Sequence, residues 1–407
     1  MIKPNHHVKI ALIYFILAAV LGLVLRSFNL LEIPINYKFI LNTHSHIALL
    51  GWVYLSVSTI LYKLYLAKTS FNKKYSRIFW FTQVSLIGML FTFPFMGYAL
   101  FSIIFSTLFL FASYWFTWFF LKYTPITYRK SDSFKCIRAS LWYLVISSAG
   151  PWALGAIMNI LGPESVWYRL AIYFYLHFLY NGWMILSLVG MLLFVLERQQ
   201  LVIPEKTMKL FYGSLNLGII LSFFLSALFA KPHVIVNILG AIGAILQIGA
   251  FLVLGVSLLK IQKRADKFFS PLHIGMLKII VFLAGLKMIL QLLSALPYFA
   301  GLAVEFLDFT IGYLHLTFLG VVTIGLFLFL DYFKMLRIRR NMYYLYLSGF
   351  ILSELFIFSR AITAWLKLKI IAGNSELIAI ASLLMVLSLM LILLSNSLNI
   401  RRGNHKH

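Results

Sequence analysis

The feature that most restricts what this chain can fold into is the recurrence, along its whole length, of apolar runs long enough to cross a bilayer. About twelve are present, near residues 8–26, 38–62, 79–97, 100–121, 138–160, 168–196, 210–230, 234–259, 274–297, 309–330, 342–365 and 376–398. A bilayer core takes roughly 20 helical residues, and lipid offers no partner to an open backbone amide, so runs of this kind must be helices. Across 407 residues, 62% are hydrophobic and 11% charged, far from the balance of a soluble domain. The expected fold is all-α: one polytopic transmembrane domain over 1–407, with no separate soluble domain.

A net charge of +24 raises nucleic acid as a partner, and the placement of the charge excludes it. About three quarters of the 35 Lys and Arg fall in the breaks at 63–77, 122–138, 198–209, 260–267 and 334–340 or in the two tails, the distribution that marks cytoplasmic segments. Both termini are therefore expected in the cytosol of a plasma (inner) membrane protein, with anionic lipid as the partner of the basic loops. Lys3 and Lys9 flank a first run that mimics a secretory signal, but "LRSFNLLEIP" offers no small-residue cleavage site, and the run is read as the first span. The single cysteine, Cys136, is placed in a cytoplasmic loop, which leaves no disulfide framework and no thiolate cluster.

With that topology, spans 2, 6 and 10 run inward from the outer face, and each carries a histidine about 11 to 12 Å below its outer boundary at the helical rise. The three stretches stack on those histidines without a gap: "HSHIALLGW" on His46, "YLHFLYNGW" on His177 and "YLHLTFLGV" on His315. Each contains [His/Tyr]-x-His-x4-Gly-[Trp/Val], four spans apart, which implies three pseudo-repeated four-helix units near 8–121, 138–259 and 274–398. Gly51, Gly182 and Gly320 would let neighbouring helices approach closely. His44, two residues before His46, points about 200° away from it and cannot share one small site with it. Tyr175 and Tyr313 hold the place of His44 in the other copies.

Ionisable groups inside a span are functional candidates, and neutral imidazole is a common ligand of metals and haem. Two arrangements suit the layer: a b-type haem held by paired histidines, or one zinc or copper ion held by three. Arg360, at nearly the same depth in span 11, is a candidate cation for a haem propionate, with pairing to Glu354 or outward snorkelling as the structural alternatives. Span 6 aligns Arg169, Tyr173, His177 and Tyr180 on one stripe with Asn181 beside it, either a proton or electron route or the polar inner face of a central helix. Span 9 places Lys287 and Gln291 one turn apart, and Lys278 lies on the same span. Pairing of Lys287 with Glu354 would be structural; otherwise Lys287, Gln291, Glu354 and the histidines make a path for a secondary transporter. His6, His7, His405 and His407 are read as solvated tail residues, and His233 and His273 as interfacial.

The pattern resembles subunit I of the haem-copper oxidases and nitric oxide reductases. The resemblance implies twelve spans in three four-helix arcs, with His44 or His46 and His315 as axial ligands of a low-spin haem and His177 as a copper ligand, Tyr180 beside it. It also implies an electron donor and partner subunits. Tyr313 stands where the family places its high-spin haem ligand, and "LFYGSLNLGIILSFFLSALFA" lacks the family's span-7 histidine pair. What the resemblance implies is thus an oxidase-like protein of electron transfer or diatomic gas (O2/NO) chemistry or sensing, with a divergent or degenerate haem-copper centre. The chain is also similar to the NnrS-like haem- and copper-containing membrane proteins, which share the length, the span count and an early His-x-His.

Overall fold

The computed structural model describes residues 4–67 and 69–403, the side chains only as far as 398. Lys3, His405, Lys406 and His407 lie outside the described residues. Among these residues the chain is helical without a strand, and twelve helices are long and apolar enough to cross a membrane. They are α1 (Pro4–Ser27), α2 (Tyr37–Leu66), α3 (Asn72–Met96), α4 (Leu100–Tyr123), α5 (Asp132–Ile160) and α6 (Val166–Arg198) in the first half. The second half holds α7 (Glu205–Ala230), α8 (Val234–Phe268), α9 (Pro271–Leu293), α10 (Leu307–Tyr332), α11 (Arg340–Trp365) and α12 (Asn374–Leu398).

Short polar residues start these helices by accepting from the open amides of the first turn. The Asn36 side chain accepts from the amides of Lys38 and Phe39 ahead of α2, and Ser165 accepts from Tyr168 ahead of α6. Ser270 caps α9, where Pro271 occupies the first turn at no cost in hydrogen bonds. Lys231, at φ +50°, ends α7 in the left-handed region.

Two compact units divide the chain. One comprises the residues up to Pro125 together with those from Leu326 onward, and the other comprises Ile126–Gly325. In the first, α1 lies against α2 and α12, α3 against α4, and α11 against α12. In the second, α5 packs on α6, and α7 on α8. Spans α2, α6 and α10 are the interior ones: 83%, 89% and 72% of their apolar windows are buried, against 44% or less in every other span. The histidine-bearing helices are therefore those whose polar groups must find partners in protein.

Cys136 departs from its expected loop. Ser131 caps α5 early and Asp132 sits in its first turn, so Cys136 is helical and fully buried. His7 departs as well, buried at 1% exposure and stacked on Phe79 at 3.6 Å, with Nδ1 3.3 Å from the Tyr75 hydroxyl. Helix α1 begins before its apolar run does and carries His7 into the first unit. His6 is exposed, as expected of a solvated tail residue, and so is His233; His273, expected at the interface, is instead buried in the first turn of α9, where Ser270 caps the helix.

Candidate functional site

Each repeated histidine is the last residue of an ordinary α-helical segment, and each is followed at once by a π-helical one. His46 ends Tyr37–His46 and precedes Ile47–Tyr54; His177 ends Val166–His177 and precedes Phe178–Met184; His315 ends Leu307–His315 and precedes Leu316–Val322. Wide turns of this kind are rare and gather at functional sites. The glycine five residues after the histidine lies inside the wide turn in every copy. A Cβ on Gly51 would lie 2.7 Å from Tyr14 Cβ on α1, and one on Gly182 would lie 2.4 Å from Tyr143 Cγ on α5. The tyrosine admitted by the glycine reaches across to an amide on the next helix: Tyr14 donates to Gln83 Oε1 on α3 at 3.0 Å, and Tyr143 to Asn216 Oδ1 on α7 at 3.1 Å. The four residues of these two contacts were not candidates on sequence, although each lies at the same span-to-span interval as its counterpart.

In the first unit, His44 and His46 face opposite flanks of α2. His46 Nδ1 lies 2.8 Å from its own helix at the Asn42 carbonyl, its ring packs on Phe93 at 4.5 Å, and Nε2 lies 3.4 Å from the Tyr98 hydroxyl. His44 instead faces α1, where Ala18, Gly22 and Arg26 form a stripe at intervals of four. Nδ1 is 2.8 Å from the Ala18 carbonyl, which only accepts, so the ring proton sits on Nδ1 and the lone pair on Nε2. Gly22 is the cradle of this ring, since a Cβ there would lie 3.0 Å from His44 Cε1. The Arg26 charge is near enough to act on both His44 and Glu354, the latter on α11. Half-buried His44 has no hydrogen-bond partner for Nε2 among the described residues. Arg360 is also half-buried, one and a half turns beyond Glu354 on α11.

The second unit holds a continuous buried polar chain. His177 Nε2 lies 2.8 Å from the Ile219 carbonyl on α7, and its Nδ1 lies 3.2 Å from Asn181 Nδ2. Lys287, at 2% exposure on α9, donates to Asn181 Oδ1 and to Gln291 Oε1, the latter at 2.6 Å. Gln291 Oε1 also accepts from the Tyr313 hydroxyl at 3.3 Å, and the Tyr313 ring lies edge-on to that of Tyr180, with centres 6.3 Å apart. The ammonium stands 5.5 and 5.9 Å from the ring centres of Tyr180 and Tyr313, within cation–π range. Among the described residues no carboxylate pairs with Lys287, so its structural partners are two amides and two aromatic faces rather than Glu354. Lys278, by contrast, is exposed on α9. At the N-terminal end of α6, Arg169 and Tyr173 both pack on Phe229, so that part of the stripe is anchored on α7.

His315 and Tyr313 are half-buried on α10. Among the described residues no three His, Cys, Asp or Glu side chains are gathered closely enough to hold a metal ion. No protein-family model matches the chain, and no curated protein matches its sequence.

Proposed function

We propose that the chain is a haem-binding, oxidase-like integral membrane protein of electron transfer or diatomic gas chemistry, with His44 as an axial ligand. The observation that carries this reading is the tether of His44. Metal-bound histidines characteristically donate their other ring N–H to a carbonyl or carboxylate, which fixes the tautomer and aims the lone pair. His44 has that arrangement through Ala18, a glycine cradle against its ring, and the Arg26 cation one turn beyond the cradle. These residues fit a haem: His44 would hold the iron, while Arg26 and Arg360 would neutralise propionates. When bound, the group supplies a one-electron carrier. The protein's part is to fix the imidazole, exclude water and balance charge. His46, engaged with Asn42 and Tyr98, becomes a packing residue of α2 in this reading.

Three four-span repeats, with both termini on the cytoplasmic side, are part of the same proposal. The repeats are supported by the wide turn after each histidine and by the recurrence of the glycine, tyrosine and amide contact in both units. The orientation is supported by the basic loops.

The test is the visible spectrum of the purified protein, oxidised and dithionite-reduced. A Soret band and a reduced α-band are expected in the native protein and in His46→Ala, and both are lost in His44→Ala. The same spectra of His315→Ala test the ligand role that the resemblance implies for His315. A colourless protein after expression with ample haem overturns the reading. That result would favour a secondary transporter, for which the buried Lys287 chain is the supporting observation.

A further inference from the structure

We infer that the polar centre of the second unit is built around the Lys287 ammonium as its resident cation, and that this arrangement closes His177 to a metal ion. The inference follows from which groups are able to donate, and it is independent of the haem reading at His44.

The chain of hydrogen bonds has two ends whose direction is fixed. At one end the Ile219 carbonyl only accepts, so His177 Nε2 carries the proton and Nδ1 offers a lone pair. Asn181 must then present its NH2 to Nδ1 and its oxygen to Lys287. At the other end the ammonium only donates, which requires the same orientation of Asn181 independently. Gln291 is oriented likewise, since its Oε1 receives both Lys287 and Tyr313. Every step agrees, so the network is satisfied in one direction only.

Two consequences bear on metal binding. Neither nitrogen of His177 has a lone pair to give: Nε2 is protonated, and the Nδ1 pair is taken by Asn181. A metal ion would have to displace Asn181, which releases Lys287, or strip the bond to Ile219. The groups that face Lys287 from α6, α9 and α10 are Asn181, Tyr180, Gln291 and Tyr313, with His177 one bond further on, and no carboxylate among the described residues joins them. A divalent ion would enter beside a positive charge with no anion to offset either one, which is unfavourable in a low-dielectric interior. The cation that the expected copper or zinc would have supplied is here a side chain, and His177 is a positioning residue for Asn181.

The experiment uses the full chain in detergent, labelled with 15N-histidine and expressed with copper and zinc in the medium. The His177 resonances are assigned by their absence in His177→Gln. Expected are an Nε2–H tautomer for His177 and no stoichiometric copper or zinc. Asn181→Asp, close to isosteric, places an accepting oxygen against Nδ1 and should move a proton onto it; Lys287→Met should free the Asn181 amide to turn while the Ile219 carbonyl keeps the Nε2–H tautomer, and Lys287→Arg should retain the native arrangement. A stoichiometric metal lost in His177→Gln, an Nδ1–H tautomer in the native chain, or an Asn181→Asp spectrum unchanged at His177 would each overturn the inference.

Discussion

Gly182→Ala is the substitution whose cost the structure states most directly. The added Cβ would lie 2.4 Å from Tyr143 Cγ, 2.6 Å from its Cβ and 2.9 Å from its Cδ1. Ring and Cβ atoms so close to the α5 backbone cannot swing aside, so α5 and α6 must part by about 1 Å to restore van der Waals distance. Overpacking of this kind costs about 1 to 3 kcal/mol. Asn181 is the adjoining residue in the same wide turn, and a shift of that size breaks its bonds to Lys287 and His177, for about 1.5 to 3 kcal/mol more where a charged group is left short of a partner. The expected loss is therefore about 2.5 to 6 kcal/mol. The assay is reversible unfolding in mixed micelles, read by circular dichroism, with Gly155→Ala on α5 as control. A Cβ on Gly155 meets nothing within 4 Å, and that variant should be neutral or slightly stabilising. Equal stability of the two variants would refute the close-approach argument.

Other outcomes follow from the same geometry. Tyr14→Phe removes the donor from the buried Gln83 oxygen and should cost about 1 to 2 kcal/mol in the same assay, and Tyr143→Phe, whose partner Asn216 is half-buried, should cost less. Gly22→Ala presses on the His44 ring without removing it; the spectrum of the haem-loaded protein should shift while the band remains, whereas His44→Ala abolishes it. Cys136, fully buried, should resist a membrane-permeant maleimide until the protein is denatured. That inertness leaves the native chain usable for cysteine mapping: a cysteine placed at Ser70 should label from the cytoplasmic side and one at Glu164 from the outer side.

How much could be read beforehand depended on what each feature answers to. Spans follow from apolar length, and all twelve were legible because a bilayer admits few other solutions. Their ends were less so: α3 begins at Asn72 rather than near 79, and α5 at Asp132 rather than 138. Hydropathy stops at the first cluster of Lys and Arg, whereas helical hydrogen bonding continues into the interfacial zone. The recurrence of His46, His177 and His315 was visible as a spacing. The wide turns after them were not, because a π-helical register is a choice among hydrogen bonds that leaves no compositional trace. The opposition of His44 and His46 was implied by the 200° between them. Which one keeps an available lone pair depended on Ala18 and Gly22, residues of another helix. His7 was misread because proximity to the terminus says nothing about which face of α1 it occupies.

The wide turns have a consequence for how these helices are phased. One extra residue advances everything after it by about 100° around the axis, so α2, α6 and α10 are each two helical faces joined out of step. The N-terminal half aims its histidine at one neighbour while the C-terminal half meets different ones. Closing 47–54 into regular helix with no residue removed would turn the buried Leu55–Leu61 segment about a quarter turn against its surroundings. In these spans regular helix is the disruptive state, and the irregular turn is the clutch that lets one rod serve two sets of partners.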